Sequence, residues 1–154
     1  AELSEHILDI RNARVLDVTA AENGEEQGIG RIGNLEKPMS LAECCTHVRH
    51  RLKLGSLKVF GDMDQTVYRI AVSPGAGKSA IPAAIEKGAD VLVTGDIGHH
   101  DGLDAVAQGL AVIDAGHYGT EYIFMDDMKR FLADKLPGLE VDTAPVIHPF
   151  QVIP

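Results

Sequence analysis

The chain predicts an α/β domain, a mainly parallel sheet flanked by helices, with residues 1–154 as a single domain and residues 1–27 a loosely patterned N-terminal segment. Two observations carry this reading. From Leu57 onward, short β-branched runs alternate with stretches whose apolar residues step by three or four. Such strand–helix alternation builds parallel sheets covered by helices. The length of 154 residues, with 45% hydrophobic and 24% charged, suits one domain of about 100–200 residues that holds its core without staples.

The elements follow in order. Ser4–Arg11 reads as a short helix, Arg14–Val18 as a short strand, and Glu22–Gln27 as an acidic loop. Ser40-Leu41-Ala42-Glu43 is a capping box, in which serine and glutamate satisfy each other's orphan N–H groups. Leu41, Cys45, Val48 and Leu52 then recur at helical spacing until Gly55. The other face of that helix, with His47, Arg49, His50, Arg51 and Lys53, reads as a solvated face or as an anion contact. Leu57–Phe60, Val67–Val72, Asp90–Thr94 and Leu110–Ile113 read as strands. Ala80–Lys87 and Asp101–Gln108 read as the helices between them. A long helix runs from Tyr118 to Leu136, closed by Pro137-Gly138, and Leu139–Asp142 reads as a last strand.

Composition excludes several classes. A net charge of −9 argues against gripping nucleic acid by bulk charge. The absence of tryptophan, with aromatics at 5%, argues against a base-stacking platform. No apolar run approaches the ~18 residues of a membrane helix, so no membrane partner is expected. Cys44 and Cys45 are adjacent, and a bridge between neighbours is strained and closes almost no loop. A reduced, cytoplasmic setting fits best. Ala1 is compatible with removal of an initiator methionine and equally with a chain cut from something longer.

In a parallel sheet with right-handed crossovers, ligands bind at the carboxyl edge of the strands. Three loops would meet there: Ser73–Ser79, Gly95–Asp101 and Asp114–Glu121. They gather His99, His100 and His117 with Asp96, Asp101, Asp114 and Glu121. His117 and Glu121 are four apart, so both lie on one helical face. An imidazole and a carboxylate so placed can share a divalent metal, or form an ordinary hydrogen-bonded pair. His99 and His100 are adjacent, so only one of them faces a shared pocket. Asp96 follows a strand end, where it caps a helix or orients a histidine.

Two motif matches fail. Gly28-Ile29-Gly30-Arg31-Ile32-Gly33 matches the dinucleotide fingerprint in letters, but follows an acidic loop and is separated from the next helix by Pro38. Gly77-Lys78-Ser79 resembles the end of a phosphate-binding loop, yet the first glycine of that motif falls on Val72. Its backbone amides remain candidates for cradling one phosphate or carboxylate.

Taken together, Gly28–Leu35, Pro38–Leu41, the Gly75–Ser79 loop, Gly88–Val91 running to Thr94-Gly95-Asp96, His100-Asp101, and Asp114-Ala115-Gly116-His117 with Glu121 resemble the second half of the Nif-three-like family, whose members are also called GTP cyclohydrolase I type 2 homologues. The resemblance runs in unbroken order from about Gly28 to Phe150. It implies one lobe of a two-lobed α/β fold with a two-metal site between the lobes. It places metal ligation on His117 and Glu121, with a divalent ion of the zinc, manganese or iron class. The family's other ligands, a histidine pair and an aspartate, belong to its first half, which this chain lacks. His99-His100 is not that pair, and His99 stands where the family usually has an aromatic or other residue. His100 and Asp96 carry over as pocket residues, His100 as acid/base or substrate contact and Asp96 as its orienter.

The resemblance further implies self-association, since family members form ring-like hexamers. Two functions follow. One is a metal-dependent hydrolase, GTP cyclohydrolase type 2-like, acting on a nucleotide-like substrate through metal-activated water. The other is a non-catalytic metal- or ligand-binding regulatory protein, which the incomplete ligand set favours. Metal content separates them.

Overall fold

The computed structural model describes residues 1–145, so the end of the resembling stretch at Phe150 lies outside the described residues. The chain divides into two units, one spanning Ala1–Glu121 and one beginning at Tyr122. The first unit holds one six-stranded sheet. Its strands are β1 (Arg11–Glu22), β2 (Glu25–Ser40), β3 (Lys58–Phe60), β4 (Thr66–Ala76), β5 (Val91–Gly95) and β6 (Ala111–Asp114). Their spatial order is β1-β2-β4-β5-β6-β3. The helices of this unit are α1 (Glu2–Ile7), α2 (Leu41–Arg51), α3 (Ile81–Glu86), α4 (His99–Ala107) and α5 (His117–Glu121), with a 3-10 turn at Lys78–Ala80.

The expectation of a mainly parallel sheet is overturned. Of the five strand pairings among the described residues, β1–β2, β2–β4 and β3–β6 are antiparallel, while β4–β5 and β5–β6 are parallel. The fold is α/β with a mixed sheet. The alternation that suggested parallel strands holds only for β4, β5 and β6, where α3 and α4 form the crossovers. Two of the antiparallel pairings come from a hairpin that begins in the segment read as loosely patterned, and the third from the short edge strand β3. Arg11–Ser40 is a long hairpin, turned at Asn23-Gly24 with φ of 54° and 86°. Glu22 pairs with Glu25 across it. Positive φ at both central residues defines the tight turn that matches the twist of the flanking strands, and Asn-Gly is its preferred sequence.

Core positions explain how the central strands are held. Ile32, Ala71, Leu92 and Val112 are in register and point to one face, where they join a buried cluster with Ile81, Ala84 and Ala105 from α3 and α4. Residues at the alternate positions, Ile70, Val91 and Ala111, are equally buried and face the other side. There Leu41 of α2 and the side chain of Ala111 both border Gly61. With both faces covered, β5 and β6 are buried along their whole lengths, which accounts for their continuous apolar character.

The capping box at Ser40 forms as its sequence requires. The Ser40 hydroxyl accepts from the Glu43 amide at 3.2 Å, and the Glu43 carboxylate accepts from the Ser40 amide at 2.8 Å. Gly28, Gly30 and Gly33 lie inside β2 rather than in a strand-to-helix turn. A β-carbon on Gly33 would come within 2.5 Å of the Arg11 carbonyl, so this glycine serves close strand approach. No helix among the described residues is long and apolar enough to cross a membrane.

The second unit contains α6 (Ile123–Lys135). The helix expected from Tyr118 to Leu136 is therefore two, α5 and α6, interrupted at Tyr122. Leu139–Asp142 is not a strand. Asp142 instead takes an ion pair from Lys129 at 3.3 Å.

Candidate functional site

The site is built at the carboxyl ends of β4, β5 and β6, which are neighbours in the sheet. At β5, the chain leaves Gly95 into Asp96, whose φ of 56° is left-handed. At β6, Asp114 is followed by Ala115 and Gly116, the latter at φ 73°, and α5 begins at His117. At β4, Gly75 is left-handed at φ 75°.

These turns bring three side chains together. His117 Nδ1 lies 2.8 Å from Asp96 Oδ2, and His117 Nε2 lies 3.2 Å from Glu121 Oε2. All three groups are about half exposed, at 51%, 54% and 52%. The hydrogen bond to Asp96, with the nearby Glu121 charge, raises the His117 pKa above its usual value. Both neighbours stabilise the imidazolium, which is the expected sign.

Backbone and buried polar groups fix this geometry. The Asp114 carboxylate is 6% exposed. It accepts from the amides of Asp96 at 3.1 Å, Ile97 at 3.0 Å and Gly116 at 3.0 Å. Lys58 pairs with it at 2.7 Å. The Thr120 hydroxyl accepts from the Gly75 amide at 2.9 Å and donates to the His117 carbonyl at 2.8 Å, tying the end of β4 to α5. Gly75 itself stands against the pair. A β-carbon there would lie 2.8 Å from Glu121 Oε1 and 3.5 Å from His117 Nε2.

The structure sorts the residues singled out in the sequence. Asp96, His117 and Glu121 converge. His100 does not join them through Asp96, because no hydrogen bond among the described residues links the two, and Asp96 holds His117 instead. His99 and His100 occupy the first turn of α4, exposed, with rings packed edge to face at 5.4 Å. Lys78 is paired with Asp101 at 2.9 Å. Lys58 and Thr120 went unremarked in the sequence. The available signal was Asp114, a carboxylate ending an apolar strand, which demands partners once buried.

Chemically, His117 Nε2 and Glu121 offer a nitrogen and an oxygen donor side by side. That donor set fits a divalent transition metal, and the Asp96 contact on the opposite ring nitrogen is the usual partner of a metal-bound histidine. Gly75 leaves the space beside both donors free of side chain. Two donors are half of an ordinary set, and no group of three or more His, Cys, Asp or Glu residues able to hold a metal occurs among the described residues.

A mixed α/β sheet with a histidine–carboxylate cluster at its carboxyl edge is thus the class of molecule. The DUF34/NIF3 family (NGG1p interacting factor 3) matches residues 1–149, and the chain belongs to it. A GTP cyclohydrolase 1 type 2 homolog of Clostridium acetobutylicum is 35% identical over 130 residues, 84% of this chain and 48% of that protein. The homolog of Bacillus subtilis is 40% identical over 129 residues, 78% and 34%. This chain therefore spans about half or less of the length of these relatives. Among solved structures, a Bacillus cereus protein related to NIF3 superposes with a TM-score of 0.87 at 20% identity, over 99% of this chain and 69% of that one. Reduced HcgD from Methanocaldococcus jannaschii gives 0.69 at 28% identity, over 88% and 51%.

Proposed function

We propose that this chain supplies the His117–Glu121 half of a divalent-metal site in a hydrolase acting on a nucleotide-like substrate. The observation that carries the reading is the placement of Nε2 of His117 3.2 Å from Glu121 while Asp96 holds the opposite ring nitrogen. A bound zinc, manganese or iron ion would lower the pKa of a coordinated water and polarise the substrate. The residues of this chain do the rest. When the ring is neutral, donation from Nδ1 to Asp96 leaves the Nε2 lone pair for a metal held beside Glu121. Gly75 keeps the adjacent space open. His100, exposed on the first turn of α4, is assigned to substrate contact or proton transfer. The names of the relatives, GTP cyclohydrolase 1 type 2 homologs, support a nucleotide as substrate class. The remaining metal donors come from solvent, substrate or another chain segment, and self-association is part of the proposal.

The test is metal titration by calorimetry on the chain and on His117→Ala. Wild type should take up zinc or manganese, and H117A should not, with its thermal midpoint nearly unchanged because the side chain is half exposed. Equal binding by both proteins overturns the reading. A second reading, a non-catalytic binder or regulator, is favoured by the presence of only two adjacent donors among the described residues. Metal uptake with no turnover of GTP or related nucleotides would select it. Sedimentation giving only monomer would remove the self-association.

A further inference from the structure

We infer that Lys58 and Asp114 form a positioning pair that sets the Asp96–His117 contact from the edge strand beside β6. The functional weight of the pair rests on the metal reading above, whereas its geometric role does not. Lys58 lies on β3, the edge strand, directly opposite Asp114 in the β3–β6 register. Asp114 is a buried carboxylate, and such a group is tolerated only when its acceptors are filled. Its Oδ1 takes the amides of Asp96 and Gly116, and its Oδ2 takes the Ile97 amide and the Lys58 ammonium. Every one of these backbone partners belongs to one of two loops. One carries Asp96, and the other leads into His117.

Lys58 adds a second hold. Its ammonium also donates to the Ile97 carbonyl at 2.7 Å. Ile97 is thereby gripped at its N–H by Asp114 and at its C=O by Lys58, while its side chain is 2% exposed. Asp96 is the residue just before this clamp, and its left-handed φ of 56° is uncommon for a side chain with a β-carbon, though aspartate adopts it more readily than most. Such a conformation persists when surrounding contacts over-determine it. Here the over-determination is the Asp114–Lys58 pair. Without the ammonium, Asp114 keeps its amide partners but loses its countercharge, and the Ile97 carbonyl loses its donor. Asp96 then regains freedom to leave His117.

The experiment uses Lys58→Met, which keeps the apolar stem, and Lys58→Arg, which keeps the charge. In metal-free protein at a pH where the ring is neutral, nitrogen-15 shifts report which ring nitrogen of His117 carries the proton. Wild type and K58R should show the Nδ1–H form. K58M should lose much of it, with at least tenfold faster amide exchange at Asp96 and Ile97 and no change in β4 or β5. Zinc affinity of K58M should fall by less than the about 10–100-fold expected on removing Asp96, the outer-shell partner that the pair positions. Unchanged tautomer and exchange in K58M overturn the inference. So does faster exchange throughout the sheet, which would make the pair a support of the whole fold. If wild type takes up no zinc, the metal reading fails, and the tautomer and exchange measurements still decide the positioning role.

Discussion

His117 carries the site, and its surroundings give it a definite acid–base behaviour. Asp96 and then Glu121 raise its pKa. A histidine must be neutral to ligate a metal, so metal uptake should fall away as pH drops through a value above the usual ~6.5 of histidine. For stability the sign is opposite. A raised folded-state pKa contributes stability that is full below the unfolded value and lost as pH rises through the folded one. Proton NMR titration of the ring should place His117 above its ordinary range, and Asp96→Asn should bring it down. An unmoved midpoint in D96N would count against the Asp96 contact. Gly75→Ala tests the other side of the pair. A β-carbon at φ 75° costs about 1–2 kcal/mol, and it would stand 2.8 Å from Glu121 Oε1. Loss of both stability and metal affinity is expected. Unchanged affinity in a folded G75A would show that the space beside the two donors is not used.

At the level of elements, local chemistry was most legible where one residue type decides the outcome. The capping box made the start of α2 readable, because the Ser40 hydroxyl and Glu43 carboxylate each fill an orphan donor. Ser40→Ala should cost roughly 0.5–2 kcal/mol in denaturant unfolding, and a loss within error would show that α2 does not depend on its cap. The Glu43 carboxyl is held below its usual range, chiefly by the Ser40 amide. Its contribution is therefore present at neutral pH and lost as pH falls through that lowered value. The hairpin that replaces the expected acidic loop at Glu22–Gln27 has only one local signal, its turn. Asn23-Gly24 sits between two stretches that β-propensity scores poorly, one rich in Ala and Glu, the other in Gly. What holds those stretches as strands is pairing across the turn and, for β2, pairing with β4. Such long-range support leaves no local pattern. The histidine–glutamate spacing gave their shared face, while the choice of Asp96 as the partner of His117 depends on two loops meeting across β5 and β6. The role of Lys58 depends on β3 reaching the far edge of the sheet, which sequence order does not suggest.

Across the unit Ala1–Glu121, two cysteines offer a reading of global opening. The chain has no tryptophan, so thiol chemistry is a convenient internal probe. Cys44 is fully buried on α2, and burial, with the neighbouring Cys45, pushes its pKa up to about 12. Cys45 is 8% exposed, and burial raises its pKa as well. The thiolate is the reactive form, so in the folded protein both groups lack charge and access. Neighbours on the same helix, Leu41 and Val48, are fully buried, and the mixed sheet beneath pairs strands that are distant in sequence. Exposure of Cys44 therefore requires α2 to leave the sheet, an opening that costs a large part of the unit's stability. A thiol reagent at pH 8 should label neither cysteine at an appreciable rate in native buffer. Labelling of Cys44 should accelerate with denaturant in parallel with the loss of far-ultraviolet circular dichroism. Ser40→Ala should speed it by the factor that its stability loss sets. Prompt native-state labelling would mean that α2 opens on its own, independently of the sheet.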